Sequence, residues 1–570
     1  MRAIFFQLIV LIYPFFAFGQ IQFSEVTNQT GLKFIGKNYG AAIADFNRDG
    51  FDDIFAFSQQ APCRLYRNNG NGTFTDVAAA VGVAFNGTPN VAGWVDINND
   101  GLLDLFIGNR EGFNVLYLGV EDGTFMEHTY LSGLLNGSNV KAVLFADVNL
   151  DGNIDIYLAR LNMENILYLN IGNSQFLNYT TVSGATDHQI SMGAVFFDYD
   201  NDGDPDLYLT HDANQPNILY QNDGTGHFTN VAAAAGADVA GYGMGVDVTD
   251  INNDGWLDIY ITNLYDNFLL VNNGDGTFSE IAAAAGVNDA GMGWGCTFLD
   301  VDNDGWQDIY AANDSYFSPR PNLLYHNKQD LTFATISENS PLESMQPGYG
   351  TATLDFNNDG KMDIYLANYV GEIGNQLFRN DSQTENNWVK IKAEGTISNR
   401  SAIGARVTIN AAGQFWTDEI VGTSGYATQN SLTLHFGLGQ INNIDQLTIR
   451  WPNGLEEVYE NLPVNTTYSL VEGMGFTTST VDFKNEQKLI SVFPNPFHDQ
   501  LIIKKDFNFP ENTKVTLQSV HGKMMEEISL KDLLFGNNEC QINTGNLAAG
   551  FYFLKLEFNG QVECVKIVKH

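Results

Sequence analysis

The chain has 570 residues, too many for one ordinary domain, and its 67 acidic against 28 basic side chains leave a net charge of −39. A surface that acidic repels phosphate backbones, which argues against a nucleic-acid partner. Hydrophobic content of 44% belongs to a folded protein, and 56 glycines suit many short strands joined by tight turns.

Residues 1–19 read as a secretory signal peptide. Arg2 supplies the positive start, Ala3 to Phe18 the apolar run, and Ala17-Phe18-Gly19 a small-x-small cleavage site before Gln20. No later stretch is long and apolar enough to span a bilayer, so the mature chain is expected to be extracellular or attached to the outer surface without a transmembrane segment.

From Asp45 onward a nine-residue pattern is written seven times at intervals of about fifty residues. Oxygen side chains stand at positions 1, 3, 5 and 9, glycine at position 6, and position 7 offers its backbone carbonyl. The candidate ligands are Asp45, Asn47, Asp49, Phe51 and Asp53 in loop one, and Asp96, Asn98, Asp100, Leu102 and Asp104 in loop two. Loop three has Asp147, Asn149, Asp151, Asn153 and Asp155, and loop four Asp198, Asp200, Asp202, Asp204 and Asp206. Loop five has Asp250, Asn252, Asp254, Trp256 and Asp258, and loop six Asp300, Asp302, Asp304, Trp306 and Asp308. Loop seven has Asp355, Asn357, Asp359, Lys361 and Asp363.

Alternate oxygens before a sharp glycine turn wrap a chain around one hard cation. Seven copies in register predict up to seven structural calcium ions, with magnesium the lesser candidate because it resists dehydration. The loops are not EF-hands, since position 12 is apolar in most copies (Ala56, Ile107, Leu158), where an EF-hand needs glutamate. Asparagine at position 3 in five loops lowers the ligand charge, so affinities of about 10⁻⁴–10⁻³ M are expected, as in extracellular modules. The loops also account for about a third of the acids.

Each period carries four strand signals. A small-residue strand such as Gly40–Ala44 precedes the loop and an apolar one such as Asp258–Ile261 follows it. A third reads Asn217-Ile218-Leu219-Tyr220, and a glycine hairpin at Asn273–Thr277 leads to the fourth. Four strands per period predict a seven-bladed β-propeller over residues 20–382, followed by two small β-sandwich-like domains. The seventh unit lacks its fourth strand, and Phe23-Ser24-Glu25-Val26 at the other end of the chain is expected to supply it, closing the ring and removing two sheet edges. Alanine runs such as Ala282–Ala285 mark the crossing to the next blade.

Strand direction puts the cation loops on one face, here called the bottom, and the variable connections on the top. Aromatics there (Tyr265, Tyr316, Phe317, Tyr349, Tyr369) either stack on sugars or pack the blades. No metal-spaced histidine pair, nucleophile elbow, Walker loop or His-Glu-x-x-His occurs, and His435 reads as structural. Cys540 and Cys564 share the last segment as either a disulfide or two free thiols.

The seven units resemble FG-GAP/VCBS repeats, the blades of integrin-α-type propellers, which implies calcium-binding hairpin loops. Residues 386–472 look like an ASPIC/UnbV domain through Ile403-Gly404-Ala405-Arg406-Val407, Gly425-Tyr426, His435-Phe436-Gly437-Leu438-Gly439 and Arg450-Trp451-Pro452-Asn453-Gly454. After a linker over 473–488, residues 489–570 are similar to a type IX secretion sorting domain through Pro494-Asn495-Pro496, Gly550-x-Tyr552 and Lys566-Ile567-Val568-Lys569. That resemblance implies engagement of the type IX machinery. The whole layout is that of the cartilage-acidic-protein family, which implies an extracellular protein without catalysis. The expected function is non-catalytic adhesion or binding to a polysaccharide or surface protein. The alternatives are a polysaccharide-processing enzyme using top-face loops, and an assembly role for the ASPIC-like domain.

Overall fold

The computed structural model describes residues 21–134, 138–316, 318–370 and 373–479, together with seven strands between Ile490 and Lys569. Residues 1–19, read above as a signal peptide, Phe317 and the Pro494-Asn495-Pro496 motif lie outside the described residues, as do the side chains of Cys540 and Cys564. The chain divides into two compact units, 1–467 and 468–570.

The repeats of the first unit form seven four-stranded antiparallel sheets. Each runs in chain order from its first strand to its fourth, as in Asn38–Ala44, Asp53–Ser58, Arg64–Asn68 and Phe74–Asp76. The last sheet takes its fourth strand from the start of the chain, with Phe23–Glu25 pairing antiparallel to Gln376–Asn380. Each first strand packs against the first strands of both neighbours, and Gly348–Leu354 of sheet seven meets Asn38–Ala44 of sheet one. This closed cycle of sheets is a β-propeller. First and second strands are buried along their length save at Lys141, and the core lies between sheets, as where Leu207 and Tyr220 pack with Leu144 and Tyr157.

The alanine runs form four-residue helical turns, as at Ala282–Ala285, each ended by a left-handed glycine such as Gly286 with φ of 80°. Left-handed backbone also recurs at position 4 of every cation loop (Arg48, Asn99, Leu150, Asn201, Asn253, Asn303, Asn358). Asparagine adopts this conformation more readily than most residues, and it fills five of the seven positions.

Two rings of asparagines lace neighbouring sheets together. At the end of the third strand, Asn68, Asn170, Asn222, Asn272, Asn327 and Asn380 donate to the position-2 carbonyl of the preceding loop at 2.8–3.0 Å. In the opposite direction, Asn99, Asn201, Asn253, Asn303 and Asn358 donate to the glycine carbonyl of the following loop. Only the junction of sheets one and two lacks both among the described residues, because Arg48 and Gly119 replace the asparagines. There Phe46, Trp94 and Phe125 form an aromatic cluster instead, with centroids 5.6–6.1 Å apart.

Beyond the propeller the first unit holds a β module. Its four-stranded sheet has the order Gln414–Glu419, Arg406–Ala411, Asn443–Arg450 and Glu456–Pro463, and Asn387–Glu394 pairs with Leu434–Gly439. Residues 422–430 of this module enter the propeller's central channel. Gln429 exchanges backbone hydrogen bonds with Ala41 and Ile43, while its side-chain amide pairs with both backbone groups of Trp94. Gly425 pairs with Val246, Thr423 Oγ1 donates to Val143 O, and Asn430 accepts from Thr353 N. The segment thus satisfies innermost-strand backbone groups of five sheets that would otherwise need water. The approach is so close that a Cβ at Gly40 would run into the Ala427 carbonyl oxygen.

The second unit is β as well. Ile490–Phe493, Gln500–Lys505 and Glu539–Asn543 make a three-stranded sheet, and Met524–Ser529, Lys514–Ser519, Gly550–Phe558 and Gln561–Lys569 a four-stranded one. The stretch read as a linker over 473–488 opens with a strand, Gly475–Ser479. Its Gly-Phe-Thr-Thr-Ser sequence combines β-prone residues with small polar ones, a pattern that local reading assigns to a loop.

Asn272 is 1% exposed and ties sheet five to Tyr199 O and Leu257 O. Asn272→Ala is expected to lower stability by about 1–3 kcal/mol, because it leaves buried carbonyls unpaired. A denaturant melt with an unchanged midpoint would refute the lacing role.

Candidate metal centres on the cation-loop face

All seven loops share one backbone hydrogen-bond plan, seen in loop five, and five of them add a position-3 amide. Asp250 Oδ1 accepts the position-5 N–H at 3.1 Å, and Oδ2 accepts the Gly255 N–H at 2.7 Å. Asp254 Oδ1 accepts from Trp256 N, and Asn252 Nδ2 donates to Asp254 Oδ2. Asp258 receives Ile251 N on one oxygen and Asn272 N on the other, at 3.0 and 2.8 Å.

The position-9 aspartates (Asp53, Asp104, Asp155, Asp206, Asp258, Asp308, Asp363) are 0–1% exposed, so each buries a carboxylate where loop, second strand and third strand meet. Burial pushes Asp104 and Asp308 up to about 8 and Asp53 to about 9, and holds Asp155, Asp206, Asp258 and Asp363 well above the usual carboxylate range. Backbone N–H groups bound to both oxygens pull the other way. A divalent cation would also favour the ionised form.

The loops are not equivalent. Where position 3 is asparagine (Asn47, Asn98, Asn149, Asn252, Asn357), its amide donates to the position-5 carboxylate. Loops four and six have Asp200 and Asp302 there and no such donor, and Asp200 Oδ1, Asp204 Oδ1 and Asp302 Oδ1 are buried without a partner. Carboxylate oxygens of Asp198, Asp200 and Asp206, and of Asp300, Asp302 and Asp304, lie within 4.8 Å of one another. Converging carboxylates, some of whose buried oxygens lack a donor, fit a hard cation. The position-7 residues Phe51, Leu102, Asn153, Trp256, Trp306 and Lys361 each donate their N–H to the position-5 aspartate, as Asp204 does in loop four.

This face is covered by the β module, whose bases reach the position-1 aspartates. Lys390 Nζ lies 2.7 Å from Asp355 Oδ2, with both side chains buried, and Lys392 Nζ lies 3.6 Å from Asp45 Oδ2. Arg406 and Arg450 both pair with Asp198. His435 Nε2 sits 3.0 Å from Gly360 O, and burial lowers its pKa to about 4, so it serves the contact as a neutral donor. Trp416 Nε1 donates to Gly305 O, and a Cβ at Gly437 would collide with Asp300.

The repeats match the model of the FG-GAP-like repeat family in overlapping segments 45–107, 96–158, 147–209, 198–261, 250–311 and 300–366, together more than half the chain. The chain belongs to the FG-GAP-like repeat family. Behind the FG-GAP repeats, residues 395–475 match the ASPIC and UnbV family and residues 491–570 the secretion system C-terminal sorting domain. The sorting domain indicates export to the cell exterior or its outer surface. Among the described residues no helix is long and apolar enough to cross a membrane.

The chain is similar to cartilage acidic protein 1 of Xenopus tropicalis, 26% identical over 433 residues, which are 74% of this chain and 62% of that relative. The mouse protein of the same name is 26% identical over 42% of this chain and 38% of its own. This FG-GAP chain thus spans about three fifths of the Xenopus relative's length. Among solved structures, a lectin of Agrocybe aegerita is 16% identical over 64% of this chain and 94% of its own, with a TM-score of 0.34. Saccharomyces cerevisiae Sqt1 is 9% identical over 76% and 98%, with a TM-score of 0.37.

The position-4 and third-strand asparagines were not among the expected site residues, although both recur visibly in the repeats. Their partners lie in a neighbouring repeat, so the period alone does not reveal them. Of the top-face aromatics, Tyr265 and Tyr316 are 62% and 73% exposed, whereas Tyr349 is buried in a stack between Trp294 and Tyr369. A Ser–His–Asp grouping also sits near the top, but Ser191 Oγ donates to Asp187 rather than to His211, and His211 is fully buried. That wiring leaves the serine without a base.

Asp258→Ala should cost about 3 kcal/mol or more even in chelator, since two buried N–H groups lose their acceptor. Asn252→Ala, at an exposed loop tip, should cost under about 1 kcal/mol in chelator while reducing the stability gained on adding a divalent cation. Equal losses for both variants in chelator would contradict this division of roles.

Proposed function

We propose that the protein is an exported β-propeller, stabilised by calcium in its bottom loops, that acts outside the cell as a non-catalytic binding scaffold through its top face. One observation carries this reading: the β module covers the cation-loop face and fills the channel, leaving the variable loops of the opposite face as the open surface. Those loops present Phe113, Met163, Tyr265, Tyr316 and Ile373 to solvent. Exposed aromatics on loops held by a rigid scaffold suit contact with the apolar faces of a polysaccharide or with a surface protein. The seven Asp-x-Asn/Asp-x-Asp-Gly-x-x-Asp loops are the proposed calcium sites, with ligands as assigned from the sequence.

Two measurements test it. Each loop that binds calcium only in the folded state adds about 1.4 kcal/mol at tenfold its Kd, so the melting temperature should rise by several degrees from chelator to excess calcium. An unchanged melting temperature, with no metal found by elemental analysis, would remove the calcium reading. For the top face, a glycan panel should give retention that Tyr265→Ala with Tyr316→Ala weakens about fivefold or more, the loss of stacking contacts worth about 1 kcal/mol. New reducing or unsaturated ends would show a polysaccharide-processing enzyme instead.

A further inference from the structure

Beside position 3, the loops differ in what the third strand of their own sheet offers. The next-to-last residue of the third strand is, across the seven sheets, Arg67, Leu118, Leu169, Gln221, Val271, His326 and Arg379, and in sheets four and six it reaches position 3 of the loop. The two loops with aspartate at position 3 are the two where this residue is glutamine or histidine. In loop four Gln221 Nε2 donates to Asp200 Oδ2 at 2.7 Å, so that carboxylate has a donor from the third strand. In loop six His326 Nε2 stands 3.5 Å from Asp302 Oδ2 as an ion-pair contact, and Asp302 Oδ1 is buried without a partner, in a residue only 8% exposed. The His326 nitrogen and the oxygens of Asp302 and Asp308 all lie within 4.8 Å of one another.

We propose that loop six is a mixed nitrogen–oxygen site for a first-row divalent metal of the zinc class, with His326, Asp302 and Asp308 as its protein ligands. The proposal rests on the reading that these loops hold cations, and adds that one of them holds a different kind. Imidazole is a preferred ligand of zinc and its neighbours and a poor one for calcium, which takes oxygen. Spacing agrees: two ligands about 2.0–2.1 Å from a tetrahedral zinc stand about 3.3–3.4 Å apart, close to the separation of His326 and Asp302. Asp302 offers oxygens on both sides of its carboxylate, so zinc at His326 leaves Asp300 and Asp304 beside it as further acceptors.

The test is calorimetric titration of the full chain, stripped of metal, with zinc chloride in the presence of millimolar calcium. The wild type should take up one equivalent of zinc that calcium does not displace. His326→Gln and Asp302→Asn, each checked for folding by circular dichroism, should weaken that equivalent about tenfold or more, as expected for loss of a ligand, with calcium uptake by the other loops unchanged. Tetrahedral cobalt(II) absorption in the wild type, absent in His326→Gln, would identify the nitrogen ligand. Zinc uptake equal in wild type and variants, or none while calcium binds, would overturn the proposal and reduce His326 to a plain ion-pair partner of Asp302. Zinc uptake without any calcium uptake would instead sink the calcium reading and leave this one standing.

Discussion

The carboxylate at position 9 of each loop is the contact on which the rest of the propeller depends. It is buried, and it takes one N–H from its own loop and one from the third strand of its sheet, so a single side chain ties a hairpin tip to the next strand over. Without those donors a buried carboxylate would be prohibitively costly. With them the loop is preorganised before any cation arrives. Position 1 does the same at the other end of the turn, receiving the N–H groups of positions 5 and 6. A cation bound there would neutralise charge that hydrogen bonds have oriented but not removed.

That residual charge explains the placement of the β module. In a chain with 67 acids and 28 bases, four of the module's bases converge on three position-1 aspartates. Lys390 and Asp355 are both buried, so neither is tolerable without the other. The motif groups that set the module apart in sequence all serve this contact or the channel. Arg406 and Arg450 reach loop four, His435 and Gly437 fit loops seven and six, and Gly425-Tyr426 lies in the channel segment. Propeller and module accordingly belong to one compact unit.

The period, the four strands per repeat and the closing strand at Phe23–Glu25 were legible in the sequence, because each depends on a pattern local to about ten residues. The channel segment was not. Gly425-Tyr426 stood out as a motif, but the partners of the segment around it, 422–430, are backbone groups of five different strands, and backbone groups leave no trace in residue identity. Position 4 shows the same limit differently: the recurrence of asparagine is plain, yet its acceptor is a carbonyl one repeat further on. Tyr349 and Tyr265 look alike in sequence, and only the register of the surrounding strands decides that one is stacked inside and the other faces solvent.

A repeat protein supplies its own controls. A residue type that recurs at one position in every sheet is answering a demand of the fold, as the position-9 aspartates do. Where one sheet departs, the fold's demand is being met another way or the residue serves something else. Gly119 and Arg48 are the first kind: both asparagine ties are missing between sheets one and two, and Phe46, Trp94 and Phe125 fill the junction in their place. His326 is the second kind. Leucine or valine at the equivalent position in three other sheets shows that the strand needs no imidazole there, and its Nε2 turns to Asp302 at 3.5 Å. What remains to explain its presence is the pair of carboxylates it faces.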